Sequence, residues 1–340
     1  MCISNPDILA EALDIGGVRL RNRVFLAPLS GITDRPFRDR AYAHGAGLVV
    51  SEMVASNELA RGSAESARRI RKTGNGPHMV QLAGREARWL AEGARIAVSE
   101  GADIIDINMG CPAKKVTGGY CGSALMREPD HAVRLIEAVV GAVDVPVTVK
   151  MRLGWDENAQ NAPELARRAE QAGVRLVTVH GRTRCQFYAG KADWRAIASV
   201  RAAISIPLVA NGDGRSRHDA AAMLRDSGAD AVMIGRGHYG APWLAGEIAG
   251  QGGEPAPQSP AHLADYVIAH YDDMLSLYGR ESGLRQARKH LGWYLDRHAP
   301  ETSEALRGSI MTGTDPSVVT IALRAAFDCD CSGSSVELAA

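Results

Sequence analysis

The 340-residue chain has no net charge, because 39 lysines and arginines balance 39 aspartates and glutamates. Its net charge therefore creates no long-range electrostatic attraction to nucleic acid or to an anionic membrane, so such a partner would have to bind a local patch of positive charge. Aromatic residues make up only 5% of the chain, while 46% is hydrophobic. This composition favours helices packed closely on a sheet over an aromatic-rich β-sandwich. No apolar run approaches the roughly 18 to 20 residues of a membrane span.

The six cysteines lack the CxxC spacing of a zinc site. Two of them, Cys329 and Cys331, fall in a polar tail, and no secretory apolar segment follows the first residues. We therefore expect a reduced, cytoplasmic protein with no metal, no membrane association and no obligate protein partner. A GxGxxG unit is also missing, which leaves a Rossmann-bound dinucleotide without support.

Eight short, β-branched segments are present, and helical pattern lies between most of them. Their apolar residues run continuously rather than alternating, as expected of strands that are buried on both faces. The segments are VFLAPLS (24–30), GLVVSEMV (47–54), HMVQLAG (78–84), DIIDINMG (103–110), PVTVKMRLG (146–154), LVTVHGR (176–182), PLVANGD (207–213) and AVMIGRG (231–237). Strands that alternate with helices pair in parallel, and eight such units predict a (β/α)8 TIM barrel. A doubly wound sheet is the alternative fold.

The character of the sequence changes after Trp243. The segment GQGGEPAPQSPA is rich in glycine and proline, which is typical of a linker. Helical pattern without strand signal follows it and predicts a small helical bundle. We therefore expect a barrel domain at 1–249, a linker at 250–261, a helical domain at 262–328 and a flexible tail at 329–340.

The carboxyl ends of the barrel strands are the expected place for chemistry. The seventh strand ends in Asn211-Gly212-Asp213-Gly214, and the eighth ends in Gly235-Arg236-Gly237. Glycine allows close approach of the backbone, and consecutive amides in such turns can hold a phosphate. Each turn alone could equally be a tight turn without a ligand. Together, at these two strands, they predict a phosphate site.

Three polar side chains on other strands extend this site. Lys150 lies inside the fifth segment, where a lysine either faces the barrel mouth or is paired in the core. At the mouth it would place a cation beside an anionic cofactor ring, and the Gln81 amide could bind the edge of that ring. A phosphate, a planar ring and a cation together suggest FMN. His180 is either structural or part of the same site, and no second histidine or carboxylate has metal-ligand spacing to it.

Eight ordered motifs resemble those of the tRNA-dihydrouridine synthase family, close to its bacterial B-type branch. They span roughly residues 15–245 and read APLSGITDRPFR, MVQLAG, INMGCPAKKV, GSALM, VTVKMRLGW, VHGRTR, VANGD and IGRG. The later segment RKHLGWY resembles the C-terminal helical domain of that family. Two departures are small: Leu29 and Ser30 replace a more usual Met-Ala pair, and Cys121 stands where many members have another small residue.

The resemblance implies an enzyme that uses FMN to reduce the C5=C6 bond of a uridine in the tRNA D-loop, with NADPH re-reducing the flavin. By position, it implies that the flavin is bound by Pro28, Leu29, Ser30, Gln81, Lys150, His180, Asn211, Gly212, Asp213, Gly235 and Arg236. It places Asn108 and Arg182 near the uracil and makes Cys111 the proton donor to C5. A thiol of ordinary pKa, about 8.5, is mostly protonated at neutral pH and can act as an acid.

A neutral enzyme with a polyanionic substrate needs local cations. Arg285, Arg288 and Lys289 stand at i, i+3 and i+4, so they share one helix face and are predicted to contact tRNA. The alternative is an ordinary solvated face. Two other functions stay open: an FMN barrel oxidoreductase of a free pyrimidine such as dihydroorotate, and a barrel that binds tRNA without turnover. The helical appendage argues against the first, and the presence of Cys111 and Lys150 argues against the second.

Overall fold

The computed structural model describes residues 6–327, apart from residues 73, 75 and 251. Its sheet closes on itself as a barrel of eight parallel strands, so the predicted (β/α)8 barrel is confirmed and the doubly wound alternative is wrong. In chain order the strands are β1 (Leu13–Ile15), β2 (Val18–Leu20), β3 (Val24–Leu26), β4 (Leu48–Val50), β5 (Val54–Ala55), β6 (His78–Ala83), β7 (Ile104–Met109), β8 (Val147–Arg152), β9 (Leu176–His180), β10 (Leu208–Asn211) and β11 (Ala231–Ile234).

Each of the eight predicted segments contains one barrel strand. The barrel closes where β11 pairs in parallel with β3, with Met233 opposite Phe25, and where β4 pairs with β6. The short strand β5 adds to the far end of β6, with Val54 opposite Leu82. The strands are shorter than the sequence segments because the polar and glycine residues at their carboxyl ends lie in loops.

The helices follow the strands in the expected alternation. They are α1 (Arg35–Ala43), α2 (Ser56–Ala60), α3 (Ala64–Ile70), α4 (Ala87–Ser99), α5 (Lys114–Thr117), α6 (Pro129–Val140), α7 (Ala162–Gln171), α8 (Ala198–Arg201), α9 (Arg217–Ser227), α10 (Leu244–Ala249), α11 (Pro260–Tyr278), α12 (Arg280–His298), α13 (Glu304–Thr312) and α14 (Pro316–Phe327). Helix α6 begins at Pro129, where the fixed φ of proline suits the first helical turn. None of the described helices is long and apolar enough to cross a bilayer.

An antiparallel hairpin of β1 and β2 precedes the barrel, and the sequence analysis did not predict it. Its inward residues Ile15 and Leu20 are fully buried in one cluster with barrel residues such as Phe25, Leu48 and Ile104. Apolar side chains from most barrel strands complete this cluster. The amino-terminal half of the barrel interior is therefore a closed hydrophobic core, and it leaves the polar residues near the carboxyl ends of the strands to form the other half.

Two compact units divide the described chain. The first comprises residues 6–238 and 242–254, and the second comprises residues 239–241 and 255–327. In the second unit the Tyr239 ring stacks on the Trp293 ring at 3.8 Å, and His298 Nε2 lies 2.7 Å from the Gly240 carbonyl oxygen. No sequence signal marked the 239–241 segment as part of the helical unit. The predicted tail at 329–340, with Cys329 and Cys331, lies outside the described residues.

Candidate active site

A chain of buried amides and a carboxylate crosses three neighbouring strands inside the barrel. Gln81 on β6 donates from Nε2 to Asp106 Oδ2 on β7 at 2.7 Å, and Asn108 Nδ2 donates to Gln81 Oε1 at 2.8 Å. Thr148 on β8 donates to the other Asp106 oxygen at 2.6 Å. Burial raises the pKa of Asp106, although the hydrogen bonds from Gln81 and Thr148 oppose that shift. The network fixes the orientation of the Gln81 and Asn108 amides.

Asn108 connects this network to Cys111. Its Oδ1 accepts hydrogen bonds from the backbone amides of Gly110 and Cys111, at 3.2 Å and 3.0 Å. On the other side of the loop, the Ser123 amide and hydroxyl both donate to the Cys111 carbonyl oxygen, at 3.1 Å and 2.9 Å. The backbone of Cys111 is therefore held from two directions, with the half-buried thiol at the end of β7.

Lys150 extends into the barrel from β8. Its Nζ donates to Asn211 Oδ1 on β10 at 2.9 Å, and Asn211 Nδ2 in turn donates to the Met233 carbonyl oxygen at 2.7 Å. Within the described chain, no carboxylate forms an ion pair with Lys150. Burial, and then the charge of Arg152, lowers the pKa of Lys150 from 10.5 to about 8. Lys150 is half-buried, and an ammonium at such a site whose fixed partner is a neutral amide is suited to an anionic ligand.

His180 and Arg182 lie beside Lys150, at the end of β9. Burial, followed by the charges of Lys150 and Arg152, lowers the pKa of His180 well below 6.5, so the imidazole is neutral at physiological pH. Arg182 is only 1% exposed. Its guanidinium bonds to Asp213 Oδ1 and Oδ2 at 3.1 Å and 2.5 Å, to the carbonyls of Ala189 and Gly190, and to His180 Nε2 at 3.2 Å. All five of its N–H groups are used within the chain.

The two glycine-rich turns lie side by side at the ends of β10 and β11. Asp213, with a φ of +59°, joins them through its carboxylate, which also accepts from Arg236 at 3.1 Å. Burial alone would raise the pKa of Asp213, but the hydrogen bonds from Arg182 and Ala192 lower it below its usual range. Gly212 has a φ of +127°, and a Cβ there would come 2.6 Å from Ala192 Cβ. Only glycine therefore fits this position of the turn.

The residues expected to hold a phosphate and a flavin ring converge on this mouth. In the described structure, the backbone amides of Gly235 and Arg236 have no hydrogen-bond acceptor, and Gly235 faces Ala27 and Leu29 with room for a Cβ at ordinary contact distances. Pro28 and Leu29 are half-buried, and Ser30 is exposed in the loop after β3. Two free amides, and a half-buried ammonium with no carboxylate partner among the described residues, fit the phosphate and the electron-rich ring of FMN.

Three residues near the mouth were not selected from the sequence. Asp106 was read as part of an apolar strand, although its position two residues before Asn108 places both on the inner face. Arg152 is 1% exposed and donates to the carbonyls of Gly110, Thr183 and Phe187. Tyr188 lies under two guanidiniums, 4.9 Å from that of Arg236 and 5.6 Å from that of Arg152. Tyr188 lies in a loop without periodicity, so no local pattern could mark it.

The three cations predicted to contact tRNA lie on α12 of the helical unit. Arg285 is exposed, whereas Arg288 and Lys289 are half-buried. Arg288 NH2 reaches the Thr312 carbonyl oxygen at 3.4 Å, and Lys289 Nζ donates to Gln286 Oε1 at 3.0 Å. His290, which directly follows Lys289 in the sequence, is 2% exposed and belongs to the core of that unit. The cationic face is therefore narrower than the sequence suggested.

Comparison with known proteins gives a consistent result. A family model for dihydrouridine synthase matches residues 25–329. The chain is 62% identical to a probable tRNA-dihydrouridine synthase of Rhizobium leguminosarum bv. phaseoli, over 91% of this chain and 96% of that protein. It is 47% identical to tRNA-dihydrouridine synthase B of Xanthomonas campestris pv. campestris, over 86% of this chain and 89% of that protein.

Solved structures agree on the fold of the barrel. Histamine dehydrogenase from Rhizobium sp. 4-9 superposes with a TM-score of 0.57 at 16% identity, over 72% of this chain and 48% of that one. A 2-naphthoyl-CoA reductase superposes with a TM-score of 0.57 at 13% identity, over 72% of this chain and 52% of that one. The family match over most of the chain is the stronger result, and it shows that this chain belongs to the dihydrouridine synthase family of oxidoreductases.

Proposed function

We propose that the protein is an FMN-dependent tRNA-dihydrouridine synthase, which reduces the C5=C6 bond of a D-loop uridine with electrons from NADPH. The observation that carries this proposal is Lys150, a half-buried cation that faces the barrel mouth without a carboxylate partner among the described residues. The relatives' names supply the substrate class, because they are called tRNA-dihydrouridine synthases.

The groups that would hold FMN occupy adjacent strand ends. The free amides of Gly235 and Arg236 would bind its phosphate, and the Arg236 side chain would lie beside them. Asp213 would contribute its backbone, because its carboxylate is occupied by Arg182 and Arg236. Lys150 and the one unused N–H of Gln81 would bind the ring. The remaining contacts would come from Pro28, Leu29, Ser30, His180, Asn211 and Gly212. When bound, FMN would supply the hydride that reduces the uracil ring.

Cys111 would donate the proton that C5 requires. The Asn108 side chain and Ser123 hold its backbone, so the thiol has a defined position at the strand end. Lys150 and Arg152 both interact electrostatically with Cys111, and their positive charges would stabilise the thiolate that remains after proton transfer. Asn108 would bind the uracil edge. Arg182 would act mainly through Asp213 and the loop carbonyls, since a direct bond to uracil would require it to exchange one of its existing bonds.

The test uses the purified full-length protein. Heat denaturation of the protein should release FMN into the supernatant. Incubation with NADPH and with tRNA that lacks dihydrouridine should add two hydrogens to one D-loop uridine. Nuclease digestion followed by mass spectrometry detects this product. Reduction of free uridine or oxidation of dihydroorotate in place of this product would favour the free-pyrimidine alternative. Tight tRNA binding without product, in protein whose flavin is reduced by NADPH, would favour a binding protein without turnover.

A further inference from the structure

A second cleft lies next to the loop that carries Cys111. It has a volume of about 370 Å³ and is bordered by Lys114, Tyr120, Arg127, Glu128 and Trp155, with small residues between them. Its walls come from α5, from the turn after it, from the short 3-10 helix Gly122–Arg127 that follows, and from the loop after β8. None of these residues belongs to the flavin and uracil set proposed above, so the cleft needs a separate explanation.

Aromatic rings and cations alternate around this cleft. The Arg85 guanidinium lies 4.6 Å from the centre of the Tyr120 ring. The guanidiniums of Arg127 and Arg184 each lie 4.8 Å from the centre of the Trp155 ring. Rings and guanidinium planes in this arrangement offer flat surfaces on which a nucleobase can stack.

The cations of the cleft outnumber its carboxylates. Glu128 is the one carboxylate on its border, and it lies 4.0 Å from Arg85. The side chains of Lys114, Arg127 and Arg184 form no hydrogen bond or ion pair with any residue that the structure describes. In a chain of zero net charge, this is a local surplus of cations with unused donors, as expected of a surface that binds phosphate.

The two rings are held in place by the backbone. Tyr120 has a φ of +56°, a region that large side chains rarely adopt, and its side chain is 55% exposed. Its turn is fixed by hydrogen bonds from the Tyr120 amide to the Thr117 carbonyl and from the Cys121 amide to the Val116 carbonyl. Such strain persists where the surrounding structure enforces it, and it concentrates at functional sites.

Trp155 is fixed in a similar way. Its carbonyl oxygen accepts from the Cys185 amide at 2.8 Å, and the Arg184 amide donates to the Gly154 carbonyl at 2.9 Å. The loops after β8 and β9 are thereby tied together. Because the ring already lies against the guanidiniums of Arg127 and Arg184, a ligand that stacks there would lose little additional side-chain freedom on binding.

We propose that this cleft binds a nucleotide of the RNA substrate adjacent to the uridine that is reduced. Its base would enter between Tyr120 and the Arg127–Trp155 stack, and its phosphate would contact Lys114. Ser123, three residues after Tyr120, bonds directly to the Cys111 carbonyl, so a nucleotide in the cleft lies one short loop away from the thiol. Removing the target base from the stack costs free energy, because its neighbour loses a stacking partner. The cleft would offset this cost by holding the neighbouring base. This inference rests on the proposed function.

The test compares variants of the cleft with a matched control. The cleft variants are Tyr120→Leu, Arg127→Gln and Trp155→Leu. The control is Trp89→Leu on α4, because Trp89 does not border the cleft. Trp89 also lies under two guanidiniums, that of Arg88 at 4.6 Å and that of Arg61 at 5.7 Å. Circular dichroism and the rate of flavin reduction by NADPH establish that each variant is folded and loaded.

We expect Tyr120→Leu to raise the KM for tRNA about tenfold, from the usual contribution of one base stacked on an aromatic ring. Trp155→Leu should also raise this KM, because it removes the ring against which Arg127 lies. Flavin reduction by NADPH should match the wild type, and Trp89→Leu should leave KM unchanged. As a direct readout, 2-aminopurine placed beside the target uridine should be quenched on binding to the wild type and remain bright with Tyr120→Leu and Arg127→Gln. If Trp155→Leu unfolds, these two surface variants decide the outcome.

Failure of the proposed function can be distinguished from failure of the cleft inference. If the wild type makes no dihydrouridine in tRNA, the proposed function is wrong and this inference is wrong with it. If the wild type does make it, while the cleft variants keep wild-type KM and quench 2-aminopurine fully, the cleft inference alone is overturned. An equal rise of KM in Trp89→Leu would also overturn it, because the effect would then not be specific to the cleft.

Discussion

Lys150 Nζ and Asn211 Oδ1 are 2.9 Å apart, and this bond joins β8 to β10 across the inside of the barrel. Asn211 is itself anchored to the Met233 carbonyl on β11. The ammonium therefore occupies a defined position although no described carboxylate neutralises it. A partly desolvated charge in this state destabilises the free protein and favours an anion that binds beside it. This balance should be measurable both in flavin binding and in the stability of the flavin-free protein.

Lys150→Gln should weaken FMN binding or slow reduction of the flavin by NADPH. The change removes the cation and keeps an amide that can still bond to Asn211. We expect the affinity for FMN or the rate of flavin reduction to fall at least tenfold. Fluorescence titration of flavin-free protein measures the affinity, and anaerobic stopped-flow absorbance measures the rate. Lys72→Gln is the control, since Lys72 forms an exposed ion pair with Asp103 at 3.0 Å and lies outside the site. Wild-type behaviour of Lys150→Gln in both assays would contradict the assignment.

Stability should depend on pH through Lys150. Its pKa is about 8 in the folded protein against 10.5 when exposed, so between these values the unfolded chain binds more protons than the folded one. Stability due to this group therefore rises with pH across that window. We expect flavin-free Lys150→Met to be more stable than the wild type at pH 7.5, with the difference shrinking toward pH 10. Urea midpoints at several pH values measure it, and a difference that stays constant with pH would exclude the shift.

The two half-buried thiols near the mouth should differ in function. Cys111→Ala should still allow reduction of the flavin by NADPH but make dihydrouridine roughly 10² to 10⁴ times more slowly, because protonation of C5 loses its acid. Cys121→Ala should keep most activity, since the Cys121 thiol donates to the Gly119 carbonyl oxygen at 3.4 Å and is not among the groups that hold Cys111. Product is measured by mass spectrometry after single-turnover mixing. The reverse pattern would make Cys121 the acid.

Asp106→Asn should loosen the Cys111 loop without touching it. One Asp106 oxygen accepts from Thr148 and the other from Gln81. An asparagine must turn its N–H groups toward one of these donors. Thr148 can accept such an N–H through its hydroxyl oxygen, but its own O–H then loses the carboxylate and keeps only Met79 Sδ, at 4.0 Å, as an acceptor. We expect this exchange to cost about 1 to 3 kcal/mol. We expect a lower melting temperature and slower product formation, with Thr148→Val as the milder control. Unchanged stability and rate would show that the network does not position Cys111.

The α12 cations should contribute to RNA affinity and to its salt dependence. Changing Arg285, Arg288 and Lys289 to Gln should weaken tRNA binding and flatten its log–log salt slope by up to about one unit for each phosphate that is no longer neutralised. The matched control changes Arg280, Arg307 and Arg324 to Gln. It removes the same charge from the same unit, but these residues already pair with Asp315, Asp296 and Asp265. Equal effects of both triple variants would indicate a general charge effect rather than a contact face.

Local pattern was enough to predict the barrel. Buried parallel strands are continuous apolar runs, and the polar residues that follow them stand out in the sequence, so Gln81, Asn108, Cys111, Lys150 and Asn211 could be selected from the sequence alone. The hairpin of β1 and β2 was missed because strands of three residues carry too little periodicity to be recognised. Its role in covering the barrel end depends on contacts far along the chain.

Only the tertiary structure decided which partner each polar group has. The family resemblance implies that Arg182 lies near the uracil, and the fold adds that its guanidinium bonds to Asp213 and to two loop carbonyls. His290 directly follows the predicted cations Arg288 and Lys289 in the sequence, whereas helix packing buries it. Asp106 was read only as part of an apolar strand, whereas the register places it between Gln81 and Thr148. The sequence by itself determined the strands and the residue types at their ends, because these depend on local periodicity. The pairing of charges depended on strand register and loop closure, which bring together residues that are distant in the chain.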